Sequence, residues 1–297
     1  MEPSPAVARI LDGMVDLHCH SGPGPFPREF DHVEGARDGD RIKMRAFVAK
    51  SHHHSTVMDL QAARRSFEGI GTQVFGGIVL NNQVGGINPY AVEMCLRMGG
   101  KIVWFPTFSS RRHIEFQEEA LAGGFPRSTV ELTTVPVLLH DAQGRLRPEV
   151  GQVADVVAET GAVLNGGHLH PDDMAELFAV GAERGVEKMV ASHPNFISDL
   201  TLEQGVELSR RGVFMEHEVG MYLPNDHPHF GIEVLLEWIA AVGVERTVLA
   251  SDLGQLGRTR PVDAFIEVTT ALLDHGVAEK DARRMLVDNP AHLLGLD

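Results

Sequence analysis

Eight apolar stretches recur along the chain, and each of them ends in polar residues. Most are nearly continuous apolar runs rather than strict alternations, a pattern typical of parallel strands that are covered on both faces. Helical patterns lie between them, and most successive strands begin about one βα unit apart. The predicted strands are Met14–His20, Arg45–His53, Thr72–Asn81, Lys101–Ser110, Ala162–His170, Lys188–Asn195, Val213–Gly220 and Thr247–Gly254.

The helices between these strands have recognisable starts and stops. Asn88 supplies a cap and Pro89 the first helical position of a helix that reaches Met98. Another helix opens at Pro171 with acidic residues in its first turn and ends near Gly185. Eight strands alternating with helices predict an α/β fold, the (β/α)8 TIM barrel.

One connection is longer than the others. The segment between strands 4 and 5 contains the additional residues Thr129–Arg147. Within it, an apolar run leads into Asp141-Ala-Gln-Gly144, a sequence typical of a turn. We predict a small hairpin insertion at this point of the barrel.

Length and composition restrict the class of protein. The 297 residues fit a single barrel domain, 1–297, and no linker or low-complexity tract divides them. Two cysteines argue against a disulfide framework, and we expect a cytoplasmic protein. No apolar run has transmembrane length, and a net charge of −15 argues against nucleic acid or an anionic membrane as a partner.

Candidate metal ligands cluster at the predicted strand ends. In the first strand, His18 and His20 are two residues apart and therefore project to the same side, as two ligands of one divalent ion must. Neutral imidazole is the commonest protein ligand for metals, and the active sites of such barrels lie at the carboxyl ends of the strands. Nine of the sixteen histidines occupy such ends: His18, His20, His52, His53, His54, His168, His170, His193 and His217.

The ordered set of motifs resembles the amidohydrolase superfamily. It consists of Asp16–His20 on strand 1, Gly167-His168 on strand 5, Ser192–Pro194 on strand 6 and Ala250–Asp252 on strand 8, followed by the closing segment Asp288–Leu296. The resemblance covers nearly the whole chain. It implies metal ligation by His18, His20, His168 and His193, with Asp252 as both ligand and proton acceptor.

The chain departs from that superfamily at strand 4. Members with two metals usually carry a bridging carboxylated lysine or glutamate there, whereas this strand ends in Trp104–Thr107. Lys50 on strand 2 is one candidate substitute, since alternation places it on one face with His52. It is either a carboxylated metal ligand or a charged lysine paired with an acid. Glu216 on strand 7 is either a ligand or the acceptor that fixes the tautomer of a ligand histidine. The sequence is compatible with a site for one metal ion or for two.

The resemblance implies that metal-activated water attacks an amide, lactone, imide or related bond of a small molecule. Asp252 and His193 would act in catalysis, with His52 or His217 polarising the scissile bond. We expect zinc first, with manganese or iron as alternatives, because imidazole and carboxylate do not select sharply among them. A single-metal decarboxylase or lyase is one alternative function. A phosphoesterase of the polymerase-and-histidinol-phosphatase type, which has seven strands, is the other.

Substrate contacts are expected on the loops that follow the strands. Arginines there could receive an anionic group, although arginines on a protein surface commonly have no such role. A homo-oligomer is also expected, based on the apolar stripe of Leu235, Leu236, Trp238 and Ile239. The candidate substrate contacts are Arg28, Arg111, His170, His217, Tyr222 and Arg258.

Overall fold

Each predicted strand contains an observed one. The computed structural model describes residues 1–119, 128–223, 226 and 229–296. The observed strands are shorter than the apolar runs, because their polar ends turn into loops. The strands are β1 (Val15–Cys19), β2 (Ala46–Ala49), β3 (Gln73–Val79), β4 (Ile102–Trp104), β5 (Val163–Asn165), β6 (Met189–Ser192), β7 (Phe214–Glu218) and β8 (Thr247–Ala250).

Helices follow the strands, and two predicted helix starts are confirmed. The side chain of Asn88 accepts hydrogen bonds from the backbone N–H groups of Tyr90 and Ala91, and Pro171 opens its helix as predicted. The described α-helices are α1 (Pro5–Leu11), α2 (His32–Gly39), α3 (Val57–Ala63), α4 (Pro89–Arg97), α5 (Arg111–Glu119), α6 (Pro148–Thr160), α7 (Pro171–Glu183), α8 (Leu202–Arg210), α9 (Ile232–Val242), α10 (Pro261–Asp274), α11 (Glu279–Arg283) and α12 (Asn289–Leu294).

The strands are parallel and follow chain order in the sheet, β1 to β8. The first and last strands are also neighbours. The N–H of Asp252 donates to the carbonyl of His18 over 2.7 Å, and the N–H of His20 donates to the carbonyl of Leu253 over 2.8 Å. Eight parallel strands with intervening helices are the TIM-barrel α/β fold that the sequence predicts.

Two compact units make up the chain, and each is described by itself. Unit 1 comprises residues 1–50, 58–75 and 216–297, and unit 2 comprises residues 51–57 and 76–215. The core of unit 1 includes Met14, Phe47, Leu249, Phe265 and Leu286. Leu235, Trp238 and Ile239 on α9 are buried as well. The helix face that suggested an oligomer is therefore largely occupied by intrachain packing, and the oligomer stays a prediction.

In unit 2, the segment of residues 128–147 contains a turn but no strand. The backbone of His140 and that of Leu146 form one isolated antiparallel bridge. The N–H of Gly144 donates to the carbonyl of Asp141, which closes the turn between them. The structure thus retains the predicted turn with one bridge in place of paired strands.

Close packing in unit 2 depends on a glycine of β3. A Cβ added at Gly77 would lie 2.4 Å from the carbonyl oxygen of Ile102 and 2.6 Å from the ring of Trp104. Gly77→Ala is therefore expected to lower the free energy of unfolding by about 3 kcal/mol, because the buried strand cannot move aside. Urea denaturation measures this effect. Gly24→Ala, whose new Cβ would meet nothing nearer than 3.7 Å, is the control. Equal stabilities of the two variants would contradict the expectation.

None of the helices among the described residues combines the length and apolar character required to cross a membrane.

Candidate metal centre

Two imidazoles of unit 1 converge on one carboxylate oxygen. His18 is on β1, and His20 is the first residue after the end of β1. Both side chains are buried. The Nε2 atoms of His18 and His20 lie 3.1 and 2.9 Å from Oδ1 of Asp252. The two rings are 5.2 Å apart between centroids and meet edge to face. Two imidazole nitrogens therefore lie within 3.1 Å of one carboxylate oxygen, and all three atoms are of types that ligate divalent metals.

The other nitrogen of each ring faces a group that can only accept a hydrogen bond. Nδ1 of His18 lies 2.9 Å from Oε1 of Glu216, and Nδ1 of His20 lies 3.1 Å from the backbone oxygen of Lys50. With Glu216 ionised, both oxygens accept and Nδ1 carries the proton in both rings. In the neutral imidazoles the lone pair is then on Nε2, the nitrogen that faces Asp252. Metal-ligating histidines are usually oriented in this way.

Backbone contacts between β1 and the loop after β8 hold Asp252 in place. Asp252 adopts φ +51°, a left-handed conformation that non-glycine residues seldom adopt. Gly254 has φ +134°, and a Cβ added there would lie 2.3 Å from the carbonyl oxygen of His20. Oδ1 of the fully buried Asp16 accepts hydrogen bonds from the N–H groups of His18 and Ser251. Asp16 thus holds the backbone of β1 and the backbone of the loop after β8 together, while the side chain of Asp252 faces the imidazoles.

Electrostatics at His20 favour a cation at this point. Burial lowers the pKa of His20 to about 3, against the opposing effect of Asp252, so the ring is neutral at physiological pH. Its Nε2 lone pair then faces the Asp252 carboxylate, and two acceptors at hydrogen-bonding distance repel each other unless a proton or a cation lies between them. A divalent metal ion satisfies both groups. The donor set therefore fits the metal that the superfamily resemblance implies.

The amine of Lys50 lies beside His18, but its single positive charge does not offset the three carboxylates around it. Its Nζ lies 2.8 Å from Nε2 of His18, and burial lowers the pKa of Lys50 to about 8. Three carboxylates oppose that shift, those of Asp252, Glu216 and Glu218. At His18, burial and Lys50 act to lower the pKa, but Asp252 and Glu216 outweigh them and the pKa is raised. The centre therefore attracts additional positive charge.

Glu218 was not among the residues selected from the sequence. It is two residues after Glu216 on β7, so both side chains lie on one side of the strand. Its Oε1 is 3.7 Å from Nδ1 of His18. His18, Glu216 and Glu218 offer a second set of potential ligand atoms, all within 4.8 Å of one another. The alternation of β7 was the signal that could have identified Glu218.

The other predicted contacts in unit 1 differ in how they are held. Nδ1 of His217 is 3.2 Å from the Tyr222 hydroxyl, and its ring packs against Trp238. Arg258 is engaged by Asp226, with Nε 2.9 Å from Oδ2, and by the backbone oxygen of Gly220. The structure thus gives Arg258 a role in supporting its loop. Arg28 lies in the loop after β1 and is partly buried.

Unit 2 contains a second group of histidines. His52, His168 and His193 are buried, and the rings of His168 and His193 lie 5.2 Å apart. His52 stacks on Phe108 with 3.9 Å between centroids. β2 ends at Ala49, and bends follow it, so the alternation that grouped Lys50 with His52 does not continue beyond the strand. Metal ligation by His168 and His193, and catalytic roles for His52 and His193, stay predictions.

A hydrogen-bonded chain in unit 2 connects His168 to a residue that sequence reasoning missed. Nδ1 of His168 lies 2.9 Å from Nδ1 of His113, whose Nε2 lies 3.0 Å from the Gln117 amide. Ligation by Nε2 of His168 requires the proton on its Nδ1, with His113 as the acceptor. His113 is on α5 outside the predicted strands, so no pattern of strand ends indicates it.

Two predicted substrate contacts of unit 2 lie near α5. Arg111 is its first residue and is exposed. His170 caps α7, and its Nε2 lies 3.0 Å from Oε2 of Glu115. Both side chains of that pair are well exposed, so the pair contributes little to stability.

A family model decides the relationship of this chain to other sequences. The model of a family of unknown function, DUF6282, matches residues 13–216, well over half of the 297 residues. The chain belongs to this family. The part that matches DUF6282 includes His18, His20, Lys50 and Glu216, whereas Asp252 lies beyond it. Among curated proteins, none matches this DUF6282 member.

Solved structures similar to this DUF6282 protein include an amidohydrolase, a phosphotriesterase homology protein and a hydantoinase. An amidohydrolase from Pseudomonas aeruginosa is 13% identical with a TM-score of 0.63, over 98% of each chain. The phosphotriesterase homology protein from Escherichia coli, solved with phosphate in its active site, is 13% identical with a TM-score of 0.55, over 95% of this chain and 98% of that chain. L-hydantoinase from Arthrobacter aurescens is 12% identical with a TM-score of 0.56, over 96% of this chain and 71% of that chain. At these identities the matches confirm the fold alone.

Proposed function

We propose that this DUF6282 protein is a metal-dependent hydrolase that acts on an amide, lactone, imide or related bond of a small molecule. One observation carries the proposal: Nε2 of His18 and Nε2 of His20 meet Oδ1 of Asp252, while each Nδ1 donates to an acceptor of its own. Neutral imidazoles with a carboxylate are the ligands of hydrolytic metal centres. The TIM-barrel fold, shared with amidohydrolases, is consistent with this chemistry.

The residues of the centre have separate tasks. A divalent ion bound there supplies hydroxide near neutral pH, since it lowers the pKa of water from about 15.7 to about 7. His18 and His20 hold the ion, and their orientation is fixed by Glu216 and by the Lys50 carbonyl. Asp252 accepts the proton of the attacking water on its carboxylate and returns it to the leaving group. Because Asp252 is 13% exposed while His18 is fully buried, the carboxylate is the part of the centre that a substrate can reach.

We propose a single ion, with Glu216 as the acceptor for His18 rather than a ligand. Oε1 of Glu216 faces Nδ1, the ring nitrogen that does not face Asp252. Lys50 is proposed to remain an unmodified amine. Its Nζ lies 2.8 Å from Nε2 of His18, and it would give up that contact when the ion takes the Nε2 lone pair. Zinc is the proposed metal, with manganese or iron as alternatives.

Protein purified without chelator is expected to contain close to one equivalent of zinc, manganese or iron per chain. Elemental analysis measures the metal, and a panel of ester, lactone, amide and phosphoester substrates measures turnover. Dialysis against a chelator should abolish activity and return of the metal should restore it, because the centre has no other source of hydroxide at neutral pH. Protein without transition metal and with full turnover would contradict the proposal.

The same panel separates the alternative functions. Exclusive turnover of phosphoesters would favour the phosphoesterase, although the described residues form eight strands rather than seven. Release of CO2 from a carboxylated substrate, without hydrolysis of any member of the panel, would favour the decarboxylase.

A further inference from the structure

Arg28 presents a partly buried positive charge that no carboxylate of the described residues contacts. It lies in the loop between β1 and α2, and its Nε is buried and makes no hydrogen bond. Among the described residues, no carboxylate forms an ion pair with its guanidinium. A partly buried cation that no carboxylate contacts is costly, so natural proteins retain one where a ligand can supply the contact. Arg258 in the same unit differs, because Asp226 already binds it.

Neighbouring groups hold the Arg28 side chain in place. Its guanidinium carbon lies 5.9 Å from the centroid of the Phe26 ring, a cation–π contact. The backbone of Gly24 lies beside the guanidinium, since a Cβ added there would be 3.7 Å from Nε. These contacts position the side chain without using its hydrogen-bond donors. The donors are thereby left for a ligand, and little side-chain entropy is lost when the ligand binds.

The loop that carries Arg28 is joined to the loop that carries Asp252. The backbones of Arg28 and Gln255 form an antiparallel bridge, and the N–H of Glu29 donates to the carbonyl of Gly254 over 2.9 Å. Gly254 is two residues after Asp252 and is in close contact with the backbone of His20. Arg28 is therefore tied by the backbone to both sides of the candidate metal centre.

The charge of Arg28 acts on that centre. Burial lowers the pKa of Arg28, and the Asp252 carboxylate opposes this effect. In turn, the guanidinium contributes to the lowered pKa values of His20 and Lys50. Each of these effects requires proximity, so they agree with the backbone connections.

We propose that Arg28 binds an oxyanion group of the substrate, a carboxylate or a phosphate, and holds it beside the bond that is cleaved at Asp252. This inference rests on the proposed hydrolase and names its substrate class. The guanidinium offers parallel N–H donors that match the two oxygens of such a group, which a lysine ammonium does not. With a net charge of −15, the protein repels anions at long range, so a dedicated cation is required to bind one.

Anion binding tests the site independently of turnover. The probes are inorganic phosphate and malonate, titrated calorimetrically into purified wild-type protein and into the Arg28→Gln and Arg28→Lys variants. Arg28→Gln should weaken binding about tenfold or more, the loss expected for a charge-assisted bidentate contact, and Arg28→Lys should recover only part of it. Whichever probe binds more tightly identifies the group as phosphate or carboxylate.

Arg260→Gln is the matched control. Arg260 is likewise partly buried and makes a cation–π contact, 5.4 Å from the centroid of the Phe30 ring, so the variant removes the same charge from the same unit. Its affinity for either anion should remain within about twofold of wild type. Equal affinity of wild type and Arg28→Gln would overturn the proposal, as would a wild-type protein that binds neither anion.

Paired substrates distinguish failure of this inference from failure of the hydrolase. Each pair shares one scissile bond and differs only in a carboxylate or phosphate substituent. Arg28→Gln should raise KM for the anionic member about tenfold more than it raises KM for the neutral member. Turnover of both members with equal KM, unaffected by Arg28→Gln, would refute the anion site and leave the hydrolase intact. Arg28-dependent anion binding without any turnover would refute the hydrolase and leave the anion site intact.

Discussion

Replacement of Asp252 by asparagine is expected to lower kcat at least about 100-fold while the chain remains folded. Its carboxylate contacts Nε2 of both His18 and His20, and an amide cannot accept the proton that hydrolysis releases. Asparagine is also one of the few residues that tolerate the left-handed backbone conformation of position 252, at φ +51°. Steady-state kinetics on a substrate of the panel, normalised to bound metal, measure the effect.

The same carboxyl-to-amide change at Asp40 is the control for Asp252→Asn. The Asp40 carboxylate accepts hydrogen bonds from the N–H groups of Gly71 and Thr72 and belongs to the same unit. Asp40→Asn should leave kcat within about twofold of wild type and reduce stability slightly. Metal-loaded Asp252→Asn with near wild-type turnover would show that another group accepts the proton.

His18→Ala is expected to lose the metal, and activity with it. The substitution removes one ligand atom and also leaves the buried carboxylates of Glu216 and Glu218 without the imidazole between them and Asp252. Loss of a hydrogen-bonding partner of a ligand already costs about 10- to 100-fold in metal affinity, and loss of the ligand itself should cost more. Competition with a chromogenic chelator measures affinity, and circular dichroism confirms that the variant is folded.

Glu216→Gln separates the loss of a ligand from the loss of an acceptor. The glutamine carbonyl can still accept the proton on Nδ1 of His18, so this variant should lose no more than the 10- to 100-fold expected for a weakened partner. A stronger metal loss in Glu216→Gln than in His18→Ala would make Glu216 a ligand and move the ion to the other side of the ring.

The sequence predicts the strands well because the signal for a doubly covered parallel strand is a continuous apolar run. It predicts their ends less well. Lys101–Ser110 was predicted as strand 4, whereas β4 ends at Trp104. Strand pairing stops where the backbone turns, and the left-handed conformations of His193 and Asp252 are examples of such turns. Apolar patterns do not contain that information.

For the candidate site, the sequence indicates side chains but not their partners. The spacing of His18 and His20 is sufficient to place both rings on one side of β1. The acceptors are different: Glu216 is 198 residues from His18, and the acceptor for His20 is a backbone oxygen. Partners at such separations depend on the tertiary fold, and a backbone atom has no sequence signature at all.

The two acceptors also differ in how easily mutation can change them. His18 relies on a side chain, so a substitution of Glu216 that removes the acceptor oxygen frees the orientation of that imidazole. His20 relies on the peptide oxygen of Lys50, which every amino acid at position 50 retains. Sequence drift at position 50 can therefore change the charge of the centre while the His20 ring keeps its orientation. The charge beside the metal site is therefore easier to change by substitution at position 50 than at position 216, because the acceptor for His20 is kept.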